Sequence, residues 1–173
     1  MALPPREPQV LKRPATLRRV AGSFLVAFLF MLLPWSGPWL LLRPDLMVLL
    51  LIYWTIREPM LMGGWIAFCL GILADAADSS TLGIHALGYS LSYFLANHFR
   101  PRTLSFYTAN QALHVLPFIF ASQLTTTLTS LILKLPLPGW LWWLQSPFTA
   151  LFWLVLPALL ERQSTHPDSS RVS

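Results

Sequence analysis

The chain alternates long apolar stretches with short breaks, and the breaks hold many of its prolines and charges. Six stretches stand out. The first covers residues 20–39, with Pro34 and Pro38 placed to kink or end it and Trp35 and Trp39 suited to a membrane interface. The second covers 44–56, with Pro44 well placed as first helical residue and Arg57-Glu58-Pro59 as its stop. At about 1.5 Å per residue it falls short of a bilayer core of roughly 30 Å. It must be little tilted, borrow neighbouring residues, or start at a depth shielded by protein. The third covers 60–77 and the fourth 82–99, closed by Arg100-Pro101-Arg102. The fifth, 107–133, is longer than a span needs and contains Pro117; Pro136, Pro138 and Gly139 then make a turn. The sixth, 140–160, opens on Trp140, Trp142 and Trp143. The pattern predicts an all-α fold: a polytopic membrane helix bundle of about six transmembrane helices with short loops. Residues 1–19 read as a flexible basic Pro-rich arm, 20–160 as the membrane domain and 161–173 as a disordered polar tail. No A-x-A type site follows the first stretch, so a cleaved signal peptide is not expected.

Composition agrees. Of 173 residues, 55% are hydrophobic and 11% charged, against roughly a quarter charged in soluble domains; mean hydropathy is +0.57. This excludes a disordered chain, a collagen and an ordinary soluble enzyme. The single cysteine, Cys69, excludes an intrachain disulfide and reads as a small buried hydrophobe. No Cys/His cluster has zinc spacing, so neither metal nor cofactor is expected. The net charge of +5 comes from basic residues clustered at the ends of apolar segments, which is a topology signal and not a nucleic-acid footprint. With six spans and a cytoplasmic N-terminus, ten Lys and Arg are cytoplasmic: Arg6, Lys12, Arg13, Arg18, Arg19, Arg57, Arg100, Arg102, Arg162 and Arg171. Only Arg43 and Lys134 fall on the other side. Both termini are thus expected in the cytoplasm.

Polar and small residues inside the stretches mark positions of interest. Gly64, Ala67, Gly71 and Ala74 share one face of the third stretch, and Gly88, Ser92 and Ala96 lie below His85 on the fourth. Small faces let backbones approach closely in lipid, and the loop of only 78–81 predicts a tight antiparallel hairpin. Helix packing alone accounts for these small residues. Asp75 lies inside the third stretch, where an unpaired carboxylate costs several kcal/mol; an internal contact is expected, with His85 or Arg43 as partner. Asp78 is expected at the wet interface, capping the fourth helix beside Ser79, Ser80 and Thr81. On the fifth stretch Gln111, His114, Ser122, Thr125 and Thr129 fall within a sector of about 80° at 100° per residue. This stripe is expected to face the bundle interior, a cavity or a protein partner, bonding between helices or lining a substrate path.

Catalytic constellations are poor. Ser79 or Ser80 with His85 and Asp78 supplies the residue types of a hydrolase triad, but no nucleophile elbow or oxyanion loop accompanies them. No phosphate-binding loop, dinucleotide fingerprint or H-E-x-x-H is present. The chain is not expected to be an enzyme.

Several strings in order resemble one family. Arg43-Pro44-Asp45-Leu46 and the apolar run ending Tyr53-Trp54 resemble the second-span signature of the bacterial rod shape-determining protein MreD family. Gly64-Trp65-Ile66-Ala67-Phe68 through Gly71-Ile72-Leu73-Ala74-Asp75 is similar to its glycine-rich third span ending in Asp. Leu82-Gly83-Ile84-His85-Ala86-Leu87 resembles its next element, and Arg100, Arg102, Phe106 and Gln111-Ala112-Leu113 continue the likeness. It covers residues 43–116. The chain departs from the family where Asp75-Ala76-Ala77-Asp78-Ser79-Ser80 lacks a Gly soon after the Asp, and in its Pro-rich arm and Thr-rich fifth stretch.

The resemblance implies a non-enzymatic component of the rod complex in the bacterial inner membrane. Such a chain would bind MreC and help couple MreB filaments to a peptidoglycan glycosyltransferase and transpeptidase pair. It also implies a bundle similar to the substrate-binding subunits of vitamin importers, and hence an alternative role in small-molecule binding or transport. For a scaffold, Arg43, Pro44, Asp45, Asp75, Asp78 and His85 are the partner-binding or structural candidates. The basic arm adds attraction to anionic membrane lipid.

Overall fold

In the computed structural model the described residues are 15–34, 37, 43–137 and 139–161. The arm residues 1–14, the interface candidates Trp35 and Trp39, Pro38, Pro138, and the tail 162–173 lie outside them. The elements are α1 (Leu17–Met31), α2 (Leu46–Arg57), α3 (Gly64–Ala77), α4 (Ile84–His98), a short α5 (Arg100–Leu104), α6 (Thr108–Ile132), a 3-10 turn (Trp140–Leu144), α7 (Gln145–Phe152) and α8 (Leu156–Glu161). Among the described residues there is no strand.

α2 forms the axis. Its sequence, LMVLLLIYWTIR, is apolar on every side, and a helix of that kind is stable only when surrounded. Every residue from Met47 to Ile56 is buried, with α1, α4, α6 and α7 packed around it. This short stretch is shielded by protein along most of its length. Pro44 is not the first helical residue. Asp45 is the N-cap, accepting from the Val48 N–H at 3.0 Å, because a carboxylate satisfies an orphan donor that proline merely lacks.

α1 is one-sided. Val20, Phe24 and Ala27 are buried at helical spacing while Leu25, Val26 and Leu29 are exposed. It takes in Leu17, Arg18 and Arg19 from the expected arm and ends at Met31. The Trp54 indole N–H donates to Ser23 Oγ at 2.9 Å and ties it to α2.

α3 and α4 form the expected hairpin. A methyl group built on Gly71 would fall 2.5 Å from the Ala86 nitrogen and 2.8 Å from the His85 carbonyl carbon, so only glycine admits this approach. Gly64 is different: a methyl there meets Phe94 and Tyr93 at an ordinary 3.6 Å. The small residues Gly88 and Ser92 do not close the hairpin. They face α6, where a methyl on Gly88 would come within 2.8 Å of Ser122 Oγ, and Ser92 Oγ donates to the Phe118 carbonyl at 2.8 Å. Cys69 is exposed, on the outward side with Trp65 and Phe68, and not buried.

α6 matches the fifth stretch to one residue at each end and runs through Pro117. The expected interior stripe is rotated. Gln111 and Ser122 are buried, but His114, Thr125 and Thr129 are only half-buried. His114 stacks on Phe106 at 4.0 Å between ring centroids, and Thr125 Oγ1 bonds back to the Ala121 carbonyl. Val115, Phe118, Ile119, Gln123 and Thr126 complete the inner face instead.

The sixth stretch is not one helix. It is a 3-10 turn, α7, a tight turn at Trp153–Val155 with i to i+3 bonds, and α8. Pro157 explains the break: it has no N–H to give residue 153, and its ring crowds that carbonyl. Trp153, fully buried, packs at the break against Tyr53 with centroids 5.7 Å apart.

Among the described residues one helix, Ala109–Ile132, is long and apolar enough to cross a membrane alone; α2 and α3 are shorter apolar helices.

Candidate functional site

The two ends of the bundle differ. One carries Arg18, Arg19, Arg57, Glu58, Arg100 and Arg102 on helix ends and loops. Glu58 Oε1 accepts the Ala15 N–H at 2.9 Å, and Arg100 Nε donates to the Ile56 carbonyl at 2.7 Å. The other end gathers Arg43, Asp45, Asp75, Asp78 and His85 around the turn from α3 to α4.

That turn is built from a helix stop and a helix start. The Ser80 N–H donates to the Asp75 carbonyl at 3.0 Å and the Ser79 N–H to the Ala76 carbonyl at 3.4 Å, the paired bonds of a Schellman stop. Ser79 therefore sits in the left-handed region at φ 52°, where glycine is usual. Gly83 takes φ 104° just before α4 and meets that need with no side chain.

Asp75 is fully buried and every polar atom of its carboxylate is used. Oδ2 accepts the Gly83 N–H at 2.7 Å. Oδ1 accepts the His85 N–H at 2.9 Å and Ser80 Oγ at 3.0 Å, and lies 2.8 Å from His85 Nδ1. The carboxylate thus caps α4 from the last turn of α3, negative charge against the positive end of the helix. The expected cap by Asp78 is corrected: Asp78 instead accepts both oxygens' bonds from Arg43 Nη2, at 2.7 and 2.9 Å. The two carboxylates approach different ring nitrogens of His85: Asp75 meets Nδ1, and Asp78 Oδ2 is 3.9 Å from Nε2. So Asp75 pairs with His85, and Arg43 with Asp78.

Arg43 and Asp45 knit this turn to the rest. Arg43 Nη1 donates to the Met31 carbonyl at 3.1 Å, and Gln145 Nε2 to the Arg43 carbonyl at 2.8 Å. The Asp45 N–H donates to Thr149 Oγ1 at 3.0 Å, and Asp45 Oδ1 accepts the Tyr89 hydroxyl at 2.8 Å. Pro44 is buried between them.

Beside these groups lies a cavity of about 320 Å³ between α1, α2, α6 and α7. Arg43, Pro44, Asp45, Asp78, His85 and Ser122 all line it. Gln111, His114, Thr125 and Thr129 do not, and Gly64, Ala67 and Gly71 act in packing on α3. Reading the sequence missed Tyr89, Gln123, Trp142, Gln145, Ser146 and Thr149. Tyr89 was accessible as the residue one turn beyond His85. Gln123 was accessible as the one amide inside the second half of α6; it donates to the Trp142 carbonyl and accepts the Ser146 hydroxyl. Among the described residues no cluster of three His, Cys, Asp or Glu could hold a metal. Ser79 and Ser80 sit in the turn, with the Ser80 hydroxyl committed to Asp75.

Comparison with known proteins agrees in one direction. The model of the rod shape-determining protein MreD family matches residues 17–163. The rod shape-determining protein MreD of Haemophilus influenzae is 36% identical over 108 residues, covering 61% of this chain and 65% of that protein. The chain therefore matches a little under two thirds of that relative's length. No solved structure matches.

Proposed function

The chain belongs to the rod shape-determining protein MreD family, and from that premise we propose that it is a non-enzymatic scaffold of the rod complex in the bacterial inner membrane. It binds MreC and helps couple MreB filaments to the peptidoglycan glycosyltransferase and transpeptidase. The observation that carries this reading is the family match over residues 17–163, nearly the whole helical part of the chain.

The geometry supports a membrane scaffold in three ways. Large apolar side chains are exposed around the flanks, among them Leu25, Leu29, Trp65, Phe94, Leu124 and Leu128, which suits lipid contact. Charged groups are kept to the two ends. About three quarters of the described residues are helical and the rest form short connections, so partners must dock on helix faces or on short turns. We read the helices as six spans, the sixth broken at Trp153, in a plan similar to vitamin-importer subunits. The arginine-rich end faces the cytoplasm with both termini, and the Arg43–Asp78 turn faces outward, where MreC would dock. A salt bridge there sets register more than affinity.

The test is depletion together with recovery from native membranes in mild detergent. Rounded cells, and recovery of a bitopic coiled-coil partner with wall synthases, are expected. Normal rod width after depletion, or recovery of an ATPase pair with a coupling membrane subunit, overturns the reading. Arg43→Glu is expected to reduce partner recovery, and adding Asp78→Arg to restore part of it.

A further inference from the structure

The cavity beside α2 contains a carboxylate oxygen with nothing to accept. Asp45 Oδ1 takes both the Val48 N–H and the Tyr89 hydroxyl, at 3.0 and 2.8 Å. Among the described residues, Asp45 Oδ2 takes no hydrogen bond. Asp45 is half-buried and lines the cavity. Oδ2 is not among the described buried atoms that lack a partner, so it is open to the cavity and free to accept from a donor that enters it.

The charges around it do not answer it. Asp45 and Asp78 both line the cavity, and the permanent cation there is Arg43. Arg43 is committed to Asp78 through Nη2 and to the Met31 carbonyl through Nη1. His85 is engaged through Nδ1 by Asp75. Trp142 also lines the space, and an indole face suits a cation. Ala27, Phe30, Met31 and Ile119 make an apolar wall. The volume, about 320 Å³, lies at the lower end of the range for small-molecule sites and leaves room for more than one side chain.

We propose that this cavity binds a small ligand carrying a primary ammonium, which donates to Asp45 Oδ2 while its remainder packs on the apolar wall. The ammonium comes either on an ethanolamine phospholipid head group or on a free amine. The site is independent of the scaffold reading, because binding is measured on the isolated chain.

The full chain is purified and placed in nanodiscs of phosphatidylglycerol doped with phosphatidylethanolamine or phosphatidylcholine, and retained lipid is counted by native mass spectrometry. Phosphatidylcholine is the decisive control, since its quaternary ammonium has no N–H to give. Free ethanolamine and phosphoethanolamine are titrated in detergent with the melting temperature as readout. Retention of phosphatidylethanolamine over phosphatidylcholine by about tenfold, the worth of one charge-assisted hydrogen bond, is expected if the source is lipid. A melting-temperature rise with the free amines and no lipid preference assigns the source to a soluble molecule. Asp45→Asn keeps the oxygen that serves Val48 and Tyr89 and replaces the other by an amide NH2. It is expected to abolish the preference while leaving the unliganded melting temperature near the parent's. Asp78→Asn is expected to keep the preference. Equal retention of both lipids with no response to free amines overturns the proposal on the parent chain alone, whatever the variants do. A preference that survives in folded Asp45→Asn also overturns it.

Discussion

α4 is held on its two sides by opposite means. Toward α3 the seam is closed by what is missing: Gly71 lets two backbones touch, and among the described residues the hydrogen bonds across it are at the turn, through Asp75. Toward α6 the seam also uses side chains that give and take. Ser92 donates to Phe118 across it, while the next residue after Ser122, Gln123, turns away from α4 to the Trp142 carbonyl and the Ser146 hydroxyl. Neither seam accepts an added atom at its glycine, Gly71 in the first and Gly88 in the second. The second does tolerate the loss of a polar bond, because a hydrogen bond lost in lipid-embedded helices is worth about 0.6 kcal/mol on average. Dispersion and fit, more than polar bonds, should therefore carry the stability of this bundle.

Adding atoms at the tight seam tests that directly. Gly71→Val is expected to cost about 3 kcal/mol or more, since the new side chain meets backbone at Ala86 and not a flexible tip. Gly64→Ala, on the same helix face, is expected to change stability by less than about 0.5 kcal/mol. Unfolding in mixed detergent micelles measures both; equal costs would break the distinction. Next in size is the polar end of the same seam. Asp75→Ala strands the Gly83 and His85 N–H groups and the His85 ring, at an expected cost of about 3 kcal/mol, and Asp75→Asn should cost less because one oxygen survives.

On the looser seam, Ser92→Ala, which removes the hydroxyl bond to the Phe118 carbonyl, is expected to cost only about 1 kcal/mol by the same measurement. A loss as large as that of Gly71→Val would mean polar bonds dominate after all. The smallest effect has the opposite sign. Ser79→Gly relieves a left-handed residue at the helix stop and is expected to raise stability by about 0.5–1 kcal/mol.

These contrasts also explain what could be read in the sequence. The ends of α6 and the place of Gly71 were legible, because long apolar runs and small residues at steps of three and four have one simple reading. The pairing of Asp75 with His85 was within reach for the same reason: a carboxylate that deep needs a neighbour. Which of Asp75 and Asp78 caps α4 was not legible. The two lie three residues apart with the same chemistry, and only the Schellman geometry of the turn aims one at the Gly83 N–H. The stripe on α6 was misread in phase because threonine hides its polarity. Thr125 and Thr127 bond to carbonyls four residues back on their own helix, so they mark no particular side. The single sixth helix failed for a local reason, Pro157. The cavity was beyond reach, since its walls run from Ala27 on α1 to Thr149 on α7, more than half the chain apart.

The enclosure of α2 has a consequence for synthesis. α2 leaves the ribosome second, yet most of its surface is covered by helices made later, ending with Trp153 against Tyr53. Until α4 and α6 follow, an axis with an acidic cap and a tyrosine and tryptophan near its far end has little but α1 beside it. A chain interrupted before α7 leaves that axis open along one flank. Such a nascent chain is a natural client for membrane chaperones and a natural target for intramembrane quality control.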